Sequence, residues 1–145
     1  LDFYTPFLKP YPNVQVRQGH TYDILLDADA ALVTSGTATL ETALLGVPEA
    51  VCYKGNPISY QIAKRLIKIK YISLVNLILD KPAVREFIQE EMNEQNLTNE
   101  LRSLLTDEIR RQQMKADFTA LRQQLEVGGA ASDNAARIIV RELAK

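Results

Sequence analysis

The sequence predicts an α/β domain in which helices flank a parallel sheet, and three observations carry that prediction. Short apolar runs at 30–33 and 50–53 have the length and composition of strands buried within a parallel sheet. Between them lie a turn of small residues, Thr34-Ser35-Gly36-Thr37, and a segment in which Leu40, Ala43, Leu44 and Val47 recur at helical spacing. Strand and helix patterns alternate along this part of the chain, and consecutive strands joined by helices pair in parallel through right-handed crossovers.

Taken in order, the chain opens with Leu1 to Leu8, which reads as the end of a helix and implies a piece excised from a longer protein. Lys9-Pro10-Tyr11-Pro12-Asn13 reads as a turn, Val14-Gln15-Val16 as a short strand and Gly19-His20 as a second turn. Thr21 then caps a short helix carrying Tyr22, Ile24, Leu25 and Ala28. The first strand of the central unit is Ala30-Ala31-Leu32-Val33. Thr37 is placed to cap the next helix, Gly46 and Pro48 stop it, and Ala50-Val51-Cys52-Tyr53 forms the following strand.

Lys54-Gly55-Asn56-Pro57 is a loop at a strand's carboxyl end, where open α/β sheets bind ligands. Beyond it, Ile58, Ile62, Leu66 and Ile69 mark one side of a helix, and Lys64, Arg65 and Lys68 mark another. The apolar stretch Tyr71 to Leu79 holds Asn76. Val84 to Gln89 reads as a short helix with Pro82 near its first turn. A helix from Leu97-Thr98 buries Leu101, Leu104 and Leu105, and a longer one from about Asp107 buries Met114, Phe118, Leu121 and Leu125. Gly128-Gly129 breaks the chain before a last amphipathic helix, capped by Ser132, with Ala136, Ile139, Val140 and Leu143 on its apolar face. The division expected is a domain over 1–127 and a terminal helix over 128–145.

Composition narrows the function classes. A chain of 145 residues, 46% hydrophobic and 24% charged, suits one globular domain with a moderate core. A net charge of −1 argues against nucleic acid as the main partner. The single cysteine, Cys52, rules out an internal disulfide, and no histidine or cysteine cluster has the spacing of a metal site. No apolar run approaches the roughly twenty residues of a spanning helix, so membrane contact would be peripheral.

The chemistry centres on the Ser35-Gly36-Thr37 turn. Where a strand ends and a helix begins, unpaired N–H groups and the positive end of the helix dipole face outward together, which suits a phosphate. With Thr37 as the cap, a capping-box acid would fall at Leu40, so Glu41 is free of that duty. Its carboxylate would repel phosphate but accept hydrogen bonds from neutral hydroxyls beside it, such as a ribose diol; the alternative is a surface acid favouring the helix start. His20, the only histidine, reads as a turn residue rather than a catalyst. From Ala50 to Leu79 there is no acidic residue, while Lys54, Lys64, Arg65, Lys68 and Lys70 fall there. Lys64, Arg65 and Lys68 form either a solvated face or a patch for anionic lipid headgroups. Asn76, an amide among apolar residues, needs hydrogen-bond partners and could pin a loop to the backbone.

Ser35-Gly36-Thr37-Ala38-Thr39-Leu40-Glu41, followed by Leu45-Gly46-Val47-Pro48 and Val51-Cys52-Tyr53-Lys54, resembles the nucleotide-binding half of the lipid-A-disaccharide synthase family, glycosyltransferases with two Rossmann-like domains (GT-B, family 19). The resemblance continues through Ala63-Lys64-Arg65-Leu66, Lys70 to Leu77 and Phe87-Ile88-Gln89-Glu90-Glu91, with Val75 where the family often has proline. It implies a Rossmann-like fold missing its first strand and a glycine-serine-arginine loop. It also implies a UDP-dependent hexosyltransferase that joins a UDP-acylglucosamine donor to an acylated sugar phosphate acceptor without metal or other cofactor. Phosphate is expected at Ser35, Gly36 and Thr37, ribose at Glu41 and cleft lining at Asn76. The catalytic base is expected on an absent N-terminal domain, leaving this part inactive alone. The resemblance further implies a cytoplasmic protein peripheral to the inner membrane of a Gram-negative bacterium, with the apolar face of the terminal helix meeting the other domain or a second copy. Another UDP-sugar transferase of cell-envelope synthesis, such as the one adding N-acetylglucosamine to lipid-linked muramyl peptide, and a non-catalytic nucleotide-binding module are the alternatives.

Overall fold

The computed structural model describes residues 3–57, 60, 70–127 and 131–143. Two short helices, α1 (Thr5–Leu8) and α2 (Thr21–Leu26), precede a sheet of β1 (Ala31–Thr34), β2 (Glu49–Tyr53) and β3 (Arg85–Ile88), parallel throughout and ordered β1-β2-β3. The register sets Ala31 against Glu49 and Thr34 against Cys52, then Ala50 against Arg85 and Tyr53 against Ile88. Helix α3 (Thr37–Leu44) links the first two strands, and α4 (Leu74–Leu79) lies between the second and third. A single 3₁₀ turn (Gln89–Glu91), α5 (Glu94–Thr106), α6 (Glu108–Glu126) and α7 (Ala131–Leu143) complete the described chain.

The core forms where the central strand meets the helices. Ala50 and Val51 of β2, Phe87 of β3, Ala43 of α3, Val75 of α4, Leu104 of α5, and Met114, Phe118 and Leu121 of α6 are buried together. Asn93 and Asp107 cap α5 and α6, each accepting a backbone N–H three residues on. Gly46, at φ 78°, turns the chain out of α3 in a conformation that few other residues adopt.

Several expectations are corrected. The segment expected as a helix over Val84 to Gln89 is β3, because residues 84, 87 and 88 fit helical spacing yet the backbone is claimed by the second edge of β2, a partner that local periodicity cannot reveal. Val14-Gln15-Val16 is exposed and forms no strand, its two valines lying outside the core that would hold a strand in place. β1 is an outer strand, with Leu32 and Thr34 exposed, rather than one buried on both faces. Thr21 and Thr37 are the first residues inside their helices; His20 and Gly36 occupy the cap positions. Leu105 and Leu125 are exposed instead of buried. The apolar face of α7 is exposed at Ile139, Val140 and Leu143, as expected of that helix without its partner domain. The helix expected over 58–69 and the Gly128-Gly129 break lie outside the described residues.

Candidate functional site

Because the strands are parallel, their carboxyl ends lie on one side and bring together the Ser35-Gly36-Thr37 turn, the Lys54-Gly55-Asn56 loop and Gln89. Ser35 continues the ladder, its N–H donating to the Cys52 carbonyl at 3.0 Å, and its Oγ donates to the Ile72 carbonyl at 3.5 Å. Gly36 stands at φ 155°, ψ −164°, a region essentially reserved for glycine. As the cap of α3 it has no side chain to offer, so no side-chain cap engages the helix's first N–H groups. Thr39, one turn in, directs its Oγ1 to the Gly36 carbonyl at 2.8 Å, which fixes the turn from beneath and leaves the outer face clear. Gly36, Thr37 and Ala38 are exposed.

Glu41 is half-buried on α3, one helical turn from Thr37. Hydrogen bonding to the Glu41 carboxylate, and then its negative charge, push the hydroxyl of exposed Tyr22 above its ordinary pKa. Sequence reading placed Tyr22 on α2 without seeing this contact. His20 Nδ1 sits 3.2 Å from Asp23 Oδ2 at the start of α2.

Asn76 is 1% exposed and its amide is fully engaged. Its Oδ1 accepts from the Val84 N–H at 2.9 Å, while Nδ2 donates to the Val84 carbonyl at 2.8 Å and to Glu86 Oε1 at 2.9 Å. Glu86 also accepts the N–H groups of Ile72 and Ser73 at 3.0 and 2.9 Å. Asn76 and Glu86 therefore tie the N-terminal turn of α4 to β3, and that turn carries the Ile72 carbonyl that meets Ser35. The contacts Asn76 makes in this geometry are those of the loop-pinning reading, with both Nδ2 hydrogens taken and Oδ1 holding the Val84 N–H. Glu86 was missed because its segment was read as a helix.

Gln89, also missed, follows β3 with φ 53°, a left-handed conformation uncommon outside glycine. It is 5% exposed; Oε1 accepts the Gly55 N–H at 3.1 Å and Nε2 has no partner among the described residues. A Cβ at Gly55 would stand 2.9 Å from the hydroxyl of exposed Tyr53, whose ring would swing aside to admit it.

Ser35, Gly36, Thr37 and Glu41 are thus gathered at one end, with Asn76 behind them. Lys64, Arg65 and Lys68 lie outside the described residues. At the opposite end, a groove of about 640 Å³ runs between the start of β3 and α6, past Arg85, Arg110 and Asp117. Its charges are already matched: Arg110 pairs with buried Glu100, and Lys81 Nζ lies 2.6 Å from Asp117 Oδ1. Among the described residues no group of three or more histidine, cysteine or acidic side chains could hold a metal, and no helix is long and apolar enough to cross a membrane.

Residues 8–140 match the family model described as lipid-A-disaccharide synthetase. The chain is 42% identical over 120 residues to the lipid-A-disaccharide synthase of Syntrophus aciditrophicus, covering 83% of this chain and 31% of that protein. It is 41% identical over 139 residues to that of Haemophilus ducreyi (93% and 35%) and 34% identical over 133 residues to that of Geobacter sulfurreducens (92% and 34%). The chain spans about a third of the length of these relatives.

Proposed function

The chain belongs to the lipid-A-disaccharide synthetase family, and from that premise we propose that it is the donor-binding half of a glycosyltransferase of lipid A biosynthesis. In the reaction proposed for the whole protein, a 2,3-diacylglucosamine unit passes from UDP to the 6-hydroxyl of 2,3-diacylglucosamine 1-phosphate. The anomeric carbon's bond to the diphosphate breaks, a bond to the acceptor oxygen forms with inversion, and the hydroxyl proton leaves to a base outside this chain. What this half contributes is hold on the leaving group. The N–H groups of Gly36 and Thr37 and the positive end of α3 face the diphosphate, stabilising charge that grows as UDP departs, while Ser35, tied to the Cys52 and Ile72 carbonyls, holds the turn in place. Glu41 accepts the ribose hydroxyls, with Tyr22 orienting its carboxylate, and Asn76 sets the cleft wall by fixing the turn that touches Ser35.

The observation that carries this reading is the uncapped start of α3 behind a glycine at φ 155°, at the carboxyl edge of a parallel sheet. The division at residues 127 and 128, the partnership with a further domain, and peripheral contact of Lys64, Arg65 and Lys68 with an anionic inner-membrane surface belong to the same proposal. Calorimetric titration with UDP tests it: the wild type binds, and Glu41→Ala weakens binding about tenfold through lost hydrogen bonds. Equal affinity in the two would remove Glu41 from the ribose site. For the membrane contact, replacing Lys64, Arg65 and Lys68 by glutamine should reduce binding to anionic vesicles, and unchanged binding would exclude it.

A further inference from the structure

Among the polar side chains at the carboxyl edge of the sheet, Gln89 alone combines near-complete burial with a donor lacking any partner among the described residues. A buried N–H left unpaired is costly, and native structures keep such groups where something else completes them. Half of this amide is already anchored, since Oε1 holds the Gly55 N–H. The side chain's orientation is thereby fixed, and Nε2 is left as the working end.

We propose that Gln89 is a specificity residue for the transferred sugar, donating from Nε2 to a neutral acceptor oxygen, a hydroxyl or acyl carbonyl, on the hexose side of the donor. This rests on the reading of the Ser35-Gly36-Thr37 turn as the diphosphate site. Position selects the sugar over the nucleotide. Gln89 follows β3 and Ser35 follows β1, two strand spacings apart, or about 10 Å. Glu41 takes the ribose on α3, whose start adjoins β1, so the end of β3 is left for the group on the other side of the diphosphate. A primary amide suits that group, being a neutral donor for neutral oxygens. Nε2 shares its amide with the oxygen that holds the Gly55 N–H, which sets it beside the Lys54-Gly55-Asn56 loop.

The test uses the full-length protein that contains this chain, with UDP and UDP-2,3-diacylglucosamine as probes. Gln89→Glu keeps an oxygen for the Gly55 N–H and removes the donor; Gln89→Leu removes both. The Glu variant should bind UDP as the wild type does and bind the UDP-sugar roughly tenfold more weakly. In the wild type, the Gln89 side-chain amide resonance should shift with UDP-sugar and stay in place with UDP. Wild-type affinity of Gln89→Glu for the UDP-sugar, or an amide resonance unmoved by it, overturns the assignment of Gln89 while leaving the diphosphate site standing. A wild type with no affinity for UDP would instead overturn the diphosphate site and this inference with it. Should the Leu variant fail to fold, the Glu variant and the wild-type resonance decide.

Discussion

Glu49 opens β2 with 0% exposure and no hydrogen-bond partner for either carboxylate oxygen among the described residues. Its backbone N–H donates to Met114 Sδ at 3.4 Å, so α6 seals the strand at this point. Burial pushes the carboxyl up from its ordinary 4.5 to about 9, which means that the folded chain carries it protonated at neutral pH. Below pH 4.5 the folded and unfolded chains both hold this proton, and its contribution to stability is fully present. Between there and pH 9 only the folded chain does, so stability falls as pH rises, by about 1.4 kcal/mol per unit and by about 3 kcal/mol on reaching pH 7. Against a typical total of roughly 5–15 kcal/mol that loss is large. Glu49→Gln keeps the shape and cannot ionise. Urea denaturation of both proteins from pH 4.5 to 9 isolates the effect, because the other titrating groups cancel in the difference. The variant should gain on the wild type steadily across that range. A difference that stays level would show that ionised Glu49 finds a partner in the folded chain, and the inference of a neutral buried carboxyl would fall.

Three further outcomes follow from the same geometry. Asn76→Ala strips both Val84 backbone groups of their partner and should cost about 3 kcal/mol in urea denaturation; a loss under about 1 kcal/mol would show the pocket refilling with water. Gly36→Ala places a Cβ at φ 155°, where nothing lies within 4 Å of it, so the strain is in the backbone alone, about 1–3 kcal/mol, and UDP affinity should drop as the turn relaxes. Full stability with full affinity in calorimetry would argue against a turn held in that conformation. Glu100→Ala leaves Arg110 without its buried partner and should cost about 3 kcal/mol, at the low end for a broken buried pair because Arg110 keeps access to water.

The parts of this fold that were legible in the sequence are those encoded by neighbours along the chain. Gly46-Val47-Pro48 ends α3 whatever lies around it, and the small-residue turn after an apolar run announces a helix start, although the cap falls on Gly36 rather than on the expected Thr37. β3 was not legible, because apolar residues at 84, 87 and 88 fit helical spacing and only the open edge of β2 makes the segment a strand. The same misreading hid Glu86 and Gln89, since a side chain's partners cannot be assigned from the wrong secondary structure. Tyr22 escaped for another reason: its bond to Glu41 joins residues on two helices, a relation that no spacing encodes.

The acidic side chains of this sheet and its helices show how burial and pairing separate structure from function. Glu86 is met by two backbone N–H groups and the Asn76 amide, Glu100 by Arg110 and by Arg85 at 3.6 Å, and the Glu49 carboxyl by no hydrogen-bond partner among the described residues. All three are committed to the fold, two through partners and one through its proton. Glu41 differs in being half-buried, with the Tyr22 hydroxyl on one side and room for more, since a carboxylate accepts up to four hydrogen bonds. Among the described residues at the carboxyl edge, Glu41 therefore has acceptor capacity left over and Gln89 an unused donor. A ligand with hydroxyls for the first, an anionic centre for the turn and an acceptor oxygen for the second matches a nucleotide sugar, and changing Glu41 and Gln89 should weaken different parts of it independently.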